Sequence, residues 1–250
     1  MIIRTEAVVL RSIDYGETSE IVTLFTREKG KLAVMAKGAR RAGSRFGSSL
    51  QPTSYTQVVF YYKPGRSVQT LSESTHVRSL HGITRDLPTL SYGLRIVELV
   101  HALLQDHEQN PMVFNLLVDV LDRLSRSPAR MPNLFHFFQL RLASILGFAP
   151  DIQREDLEGI PNEGGYLSLE TGAVLRPSER AGAARRASRR ALRAFGVLAR
   201  TDLDTAMRMR LRPELIDELE ELIEEFFRYH VEDAYPSRSS RIIGQMLGLR

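Results

Sequence analysis

The sequence predicts an α+β fold: an N-terminal β-barrel, then a helical domain that carries a small β insertion. Three observations lead there. Short β-branched and aromatic runs separated by turn residues fill residues 1–79, the apolar period changes from 2 to 3.6 near residue 80, and hairpin chemistry returns briefly at 151–180. The expected domains are therefore 1–79, a helical domain made of 80–150 and 181–250, and an insertion at 151–180.

The first strand is expected over Thr5–Ile13, centred on Ala7-Val8-Val9-Leu10, and Asp14-Tyr15-Gly16-Glu17 turns the chain into a second strand at Ile21–Thr26. Leu32–Ala36 is the third, bounded by Gly30 and Gly38. After a basic loop and a short segment at 48–50 come Tyr55–Tyr62, the turn Lys63-Pro64-Gly65-Arg66, and Val68–Ser72. Five short strands with a break between the third and fourth suit a small closed barrel of the oligonucleotide-binding (OB) type, and a five-stranded barrel of another topology has much the same signature.

The break carries the charge. From Arg27 to Arg45 seven basic residues face one acid, Glu28, and residues 1–80 hold 12 basic and 6 acidic residues, although the whole chain has a net charge of only +4. A loop rich in Gly, Ser and Arg cannot pack into a core, so its charges face water or a polyanion. Nucleic acid is the first candidate. Lys29, Lys31, Lys37, Arg40, Arg41 and Arg45, with Arg11 and Tyr15 from the first strand and its turn, are the candidate phosphate and base contacts. Phosphate contacts carry no sequence readout, and four to six of them give a log-log salt slope of roughly −3 to −5. Tyr15, Phe46 and Tyr61 or Tyr62 are candidates for stacking on bases. Each of these aromatics also fits the core or rim of a barrel, and a basic run also fits a merely solvated face.

Past residue 80, Ile96, Val97, Val100, Leu103 and Leu104 share one face of a helix over Tyr92–Leu104. Asn110-Pro111 is an N-cap followed by proline at the first helical position, opening a helix through Leu117, Val120, Leu121 and Leu124 that Ser125-Arg126-Ser127-Pro128 ends. Asn133 is expected to cap a third helix, Leu134–Leu146, apolar on most of its surface and closed by Gly147 at C′. Gly164 to Leu175 is a compact hairpin signature. Arg176–Arg200 holds eight arginines against Glu179 alone and is expected to be helical through Arg193. Arg185, Arg186, Arg189, Arg190 and Arg193 either extend a nucleic-acid path or pair with the acidic helix that starts at Pro213; internal pairing is the preferred assignment. That helix turns Leu215, Leu219, Leu222, Ile223, Phe226 and Phe227 inward, and a last helix is expected over Ser239–Leu247.

Composition removes several functions. With no cysteine there is no disulfide, no thiolate metal site and no cysteine nucleophile. The six histidines form no His-x-x-x-His pair, there is no phosphate-binding Gly-x-x-x-x-Gly-Lys motif, and the carboxylates of the last long helix are spread around a solvent face. No catalytic constellation is visible, and the expected protein is not an enzyme. No run of 18 apolar residues and no secretory leader is seen, so a cytoplasmic, nucleoid-associated protein with no membrane contact is expected.

Tyr15-Gly16-Glu17-Thr18-Ser19, Leu24-Phe25-Thr26, Lys29-Gly30, Ala36-Lys37-Gly38-Ala39-Arg40 and Leu50-Gln51-Pro52 stand in the order and spacing of the RecO family of bacterial DNA repair proteins, which the chain resembles. Gly93-Leu94, Glu98-Leu99, Leu140–Phe148 with Ala149-Pro150, and Ser237-Arg238 or Ser240-Arg241 extend the resemblance, which is strong over 1–60 and weak over 151–212. It implies an OB barrel and helical domain that bind single- and double-stranded DNA and anneal complementary strands. It also implies engagement of the C-terminal tail of the single-strand binding protein SSB and, with RecR, help in loading RecA. A slot for the SSB tail would combine Arg141 with His136 and Phe137 or Phe138, while Arg141 snorkelling from a bundle edge reads as well. Many members carry a zinc-ribbon-like insertion, but residues 153–178 hold no Cys and no His, so no zinc and no other cofactor is expected and the hairpin is held by packing. An RNA- or ribosome-binding barrel is the alternative, since arginine on phosphate does not choose between sugars.

Overall fold

Alternation builds the first element. In the computed structural model, which describes residues 1–127, 129–179 and 182–236, Ile3, Thr5, Ala7 and Val9 of β1 (Ile2–Tyr15) are all buried. β1 is long enough to serve two neighbours, β4 (Tyr55–Tyr61) along its first half and β2 (Ser19–Thr26) along its second, with an irregularity between Val9 and Arg11 where the strand changes partner. β3 (Gly30–Ala36) pairs antiparallel with β2 and parallel with β5 (Val68–Arg78), which closes the barrel in the order β1-β2-β3-β5-β4. Ile3, Ala7, Val9, Val22, Leu24, Leu32, Val34, Val58, Phe60 and Leu71 fill it. The five-stranded OB-like barrel is as predicted, and its last strand runs six residues past Ser72, to Arg78, because pairing with β4 supplies backbone partners to a polar stretch with no apolar pattern of its own.

The compact units divide near residue 128 and not at 80, where the apolar period changes. The first helices belong with the barrel because they cover it. α1 (Leu87–Leu103) is capped by Asp86, whose carboxylate accepts from the Thr89 amide and is thereby held below its usual pKa, and α2 (Pro111–Arg126) has the Asn110 cap and N-terminal proline expected of it. Phe25 on the outside of β2 packs on Phe114 of α2 at 5.6 Å between ring centroids. The Arg27 guanidinium lies 4.5 Å above the same ring, pairs with Glu6 at 2.8 Å and donates to Asn115 at 2.9 Å. Gly30 is required: its φ is +64°, and a Cβ there would meet the Glu108 carbonyl oxygen of the α1–α2 connection at 2.1 Å.

The second unit, 129–235, is helical with a small sheet. α3 (Met131–Ile145) starts two residues before the expected cap, from Arg130 in a left-handed conformation. Asn133 is a correction: it does not cap but lies buried inside the first turn, donating to the carbonyls of Ala206 and Met209 at 3.0 Å, since a buried amide must find partners. α4 is the single turn Arg154–Glu158. β6 (Gly165–Ser168) and β7 (Val174–Leu175) form the expected hairpin, and β8 (Ala184–Ala187) pairs on the other side of β6. The expected helix across Ala184–Ala187 is thus corrected: Leu167 is fully buried, and sheet pairing against it outweighs the helical propensity of alanine and arginine.

Ser188 then caps α5 (Arg189–Arg200), followed by α6 (Leu203–Arg208) and α7 (Pro213–Val231). Phe195 of α5, Phe226 and Phe227 of α7 and Phe148 after α3 make one aromatic cluster, with Phe148 edge-on to Phe227 at 5.3 Å. Internal pairing is found for Arg185, which reaches Glu221 and Glu225 of α7 at 2.9 Å. Ile152, Leu157, Ile160 and Leu167 are buried around the small sheet and α4, so apolar packing occupies this insertion. Among the described residues no group of three His, Cys, Asp or Glu side chains could hold a metal, and no helix is long and apolar enough to cross a membrane. The expected helix at 239–247 and the Ser-Arg pairs at 237–241 lie outside the described residues.

A candidate nucleic-acid interface on the barrel

The basic loop is a built structure. β3 delivers it at Ala36, Gly38 turns it with φ +73°, and its backbone folds on itself through Ala39→Ala36, Arg41→Gly38, Ser44→Arg41 and Gly47→Ser44 amide-to-carbonyl bonds. The Arg40 amide donates to the Thr18 carbonyl at 3.0 Å, which ties the loop to the β1–β2 turn. At its far end Phe46 is 3% exposed and enters the barrel core, anchoring the loop there. Between the turn and the loop lies a hollow of about 340 Å³ lined by Tyr15, Thr18, Ser19, Met35, Lys37, Gly38 and Arg41.

Three of the predicted contacts, Tyr15, Lys37 and Arg41, therefore meet in one concavity. Tyr15 is 54% exposed, and neither Lys37 nor Arg41 pairs with a carboxylate among the described residues. Arg40 stands beside them but is partly spoken for, pairing with Asp14 at 3.1 Å. Arg45 is exposed with its guanidinium 5.0 Å over the Phe46 ring, and Arg11 is exposed on β1. Lys29 is half-buried at the other end of β3, its ammonium 5.5 Å over Tyr62.

Lys31 has a different place. It is 8% exposed, donates to the His101 carbonyl at 2.8 Å and pairs with Asp106 at 3.2 Å, so it pins α1 to β3 and does not reach an incoming strand. Burial, then the nearby Lys31 and Arg11 charges, lower the His101 pKa, with Asp106 opposing. Of the aromatics proposed for stacking, Phe46 is core and Tyr62 packs partly buried against the core, while Tyr15 and Tyr61 (49% exposed) are open. In the second unit His136 is 1% exposed and Phe137 is buried. Arg141 lies 5.5 Å over the Phe137 ring and donates to the Thr201 carbonyl at 2.7 Å. Phe137 and Arg141 come together, but as a filled contact and not an open slot, and His136 is buried.

The sequence places the β4–β5 turn at Lys63–Arg66, but its two cations do not appear among the candidate contacts. In OB barrels the outer face of the second and third strands and the loops between strands 1–2 and 4–5 receive oligonucleotides. Here Gln69, buried beneath the turn, holds it by accepting from the Lys63 amide and donating to the Lys63 and Arg66 carbonyls, and both basic side chains are exposed. Cross-strand register runs Tyr61–Thr70–Met35–Ile21–Ile13, so one row on the barrel's outer surface leads from the β4–β5 turn to the hollow. The signal was the position of Lys63 and Arg66 between strands four and five; their number is too small to stand out as a charge run.

Two family models cover nearly the whole chain: recombination protein O N-terminal over residues 1–80 and recombination protein O C-terminal over 84–239. The DNA repair protein RecO of Salinibacter ruber is 54% identical over 249 residues, all of this chain and 96% of the relative. Those of Chloroherpeton thalassium and Chlorobium limicola are each 31% identical over 99% of this chain and at least 99% of their own length. The chain belongs to the RecO family of DNA repair and recombination proteins.

Proposed function

We propose that this protein is a non-enzymatic recombination mediator: it binds single- and double-stranded DNA, anneals complementary strands, and with RecR promotes loading of RecA onto DNA coated by SSB, whose C-terminal tail it engages. It acts in the cytoplasm at the nucleoid. The observation that carries the proposal is the hollow at the end of β3, where two cations with no carboxylate partner among the described residues and an open tyrosine face the same space. Cations hold the backbone without reading sequence, and the tyrosine offers a face to any base. Two polyanions held on a positive surface repel each other less, so a short paired nucleus survives long enough to extend. Family membership supports mediation over cleavage.

The test is anisotropy of a labelled single-stranded oligonucleotide across a salt series, with RNA as competitor, followed by an annealing assay. A salt slope of roughly −3 to −5 with DNA resisting the competitor is expected. Equal displacement by RNA would favour an RNA-binding barrel, and no binding at low salt would remove the loop from consideration.

A further inference from the structure

The second unit holds a larger cavity that the barrel site leaves unused. A groove of about 970 Å³ opens between the start of α5 and the start of α7, lined by Arg189, Arg190, Arg193, Arg210, Arg212 and a few neighbours. Its two acids, Glu214 and Glu218, leave three net positive charges against those five guanidiniums. Glu218 is already committed, accepting from the amide and hydroxyl of Ser188 at 2.7 Å. Arg189 reaches Asn162, and Arg193 donates to the Leu157 carbonyl at 3.1 Å. Arg190, Arg210 and Arg212 are exposed and pair with no carboxylate among the described residues. α7 begins at this groove with no side chain capping it, so the positive end of a 19-residue helix adds to the field.

We propose that this groove is a second nucleic-acid site and that it takes the phosphate backbone of duplex DNA. Among the described residues the lining contains no aromatic side chain and one aliphatic side chain, Leu215. Splayed bases would find nothing to stack on, and an acidic peptide would find no apolar slot to fix an anchor residue; closed base pairs present only their phosphates, which guanidinium forks suit. The assignment rests on nucleic acid being the ligand of this protein, as in the preceding section, but on a separate set of residues.

The test uses the full chain with Arg190→Gln, Arg210→Gln and Arg212→Gln combined, since these side chains hold no other part of the described structure. The substitutions are expected to weaken binding of a labelled blunt duplex by about tenfold or more and to flatten its log-log salt slope by about 2 to 3, while a labelled oligothymidylate binds as it does to the parent. Parent-like duplex binding would overturn the assignment, as would loss of a labelled polyglutamate peptide with duplex affinity kept, which would give the groove to a protein tail. A parent that binds neither DNA breaks the proposed function itself, whereas a parent that binds both, with a variant that matches it, breaks only this inference.

Discussion

At the end of the barrel the exposed cations stand on a loop with Tyr15 open beside them; in the α5–α7 groove they stand at or near helix starts with no aromatic residue in the lining among the described residues. The two regions show that net positive charge is a poor guide to what a surface holds. Lys31 belongs to one of the two basic runs of the sequence and is buried as a clamp, and Arg185 belongs to the other and is bound to two glutamates. What distinguishes a site from a charge run is whether the cation lacks a protein partner and what stands beside it. Among the described residues Lys37 and Arg41 have no carboxylate partner and stand beside a tyrosine, and Arg190, Arg210 and Arg212 have none and stand beside no aromatic.

Reversing charge at the barrel is the strongest way to break this contrast. Lys37→Glu with Arg40→Glu and Arg41→Glu is expected to lower single-strand affinity by about a hundredfold and to flatten the salt slope by about 2, read by anisotropy, with a smaller loss for duplex. Tyr15→Ala sharpens the contrast: it should cost about 1 to 3 kcal/mol for single strands with the salt slope intact and leave duplex binding unchanged. Lys31→Gln should do the opposite, losing about 1 to 2 kcal/mol of stability to urea with the slope unaltered, because it removes a buried bond to the His101 carbonyl and no phosphate contact. Arg185→Gln, which breaks exposed pairs, should cost less than about 1 kcal/mol and change no affinity.

The smallest effect concerns pH and probes each unit once. His101 in the first and His230 in the second have pKa values lowered in the fold, chiefly by burial. A histidine whose folded pKa lies below its unfolded value takes up its proton more readily when unfolded, so stability is unaffected above about 6.5 and falls as pH drops below it. Urea midpoints measured on either side of that value should show the fall, and His101→Gln should reduce it.

Local rules made much of this molecule readable. The barrel strands follow from β-branched runs and glycine punctuation, and Asn110-Pro111 marks the start of α2 as cap chemistry requires. The failures have one cause, tertiary contact overriding local preference. Ala184–Ala187 has helical composition but completes a sheet against Leu167, Asn133 has capping chemistry but serves two carbonyls of the chain near α6, and the polar end of β5 is a strand only because β4 lies beside it. At the candidate site, the meeting of Tyr15, Lys37 and Arg41 was legible because turn and loop adjoin through β2 and β3. The burial of Lys31 was not, because it depends on α1 and its following connection, about seventy residues away in the chain.

The central claim is that single strands lie in the hollow between the β1–β2 turn and the basic loop. Ultraviolet cross-linking of oligothymidylate to the full chain, followed by mass mapping of the adducts, tests it without any substitution. Adducts on Tyr15 and on peptides spanning residues 35–45 are the predicted result. Adducts confined to residues 182–236, with none on the barrel, would contradict it.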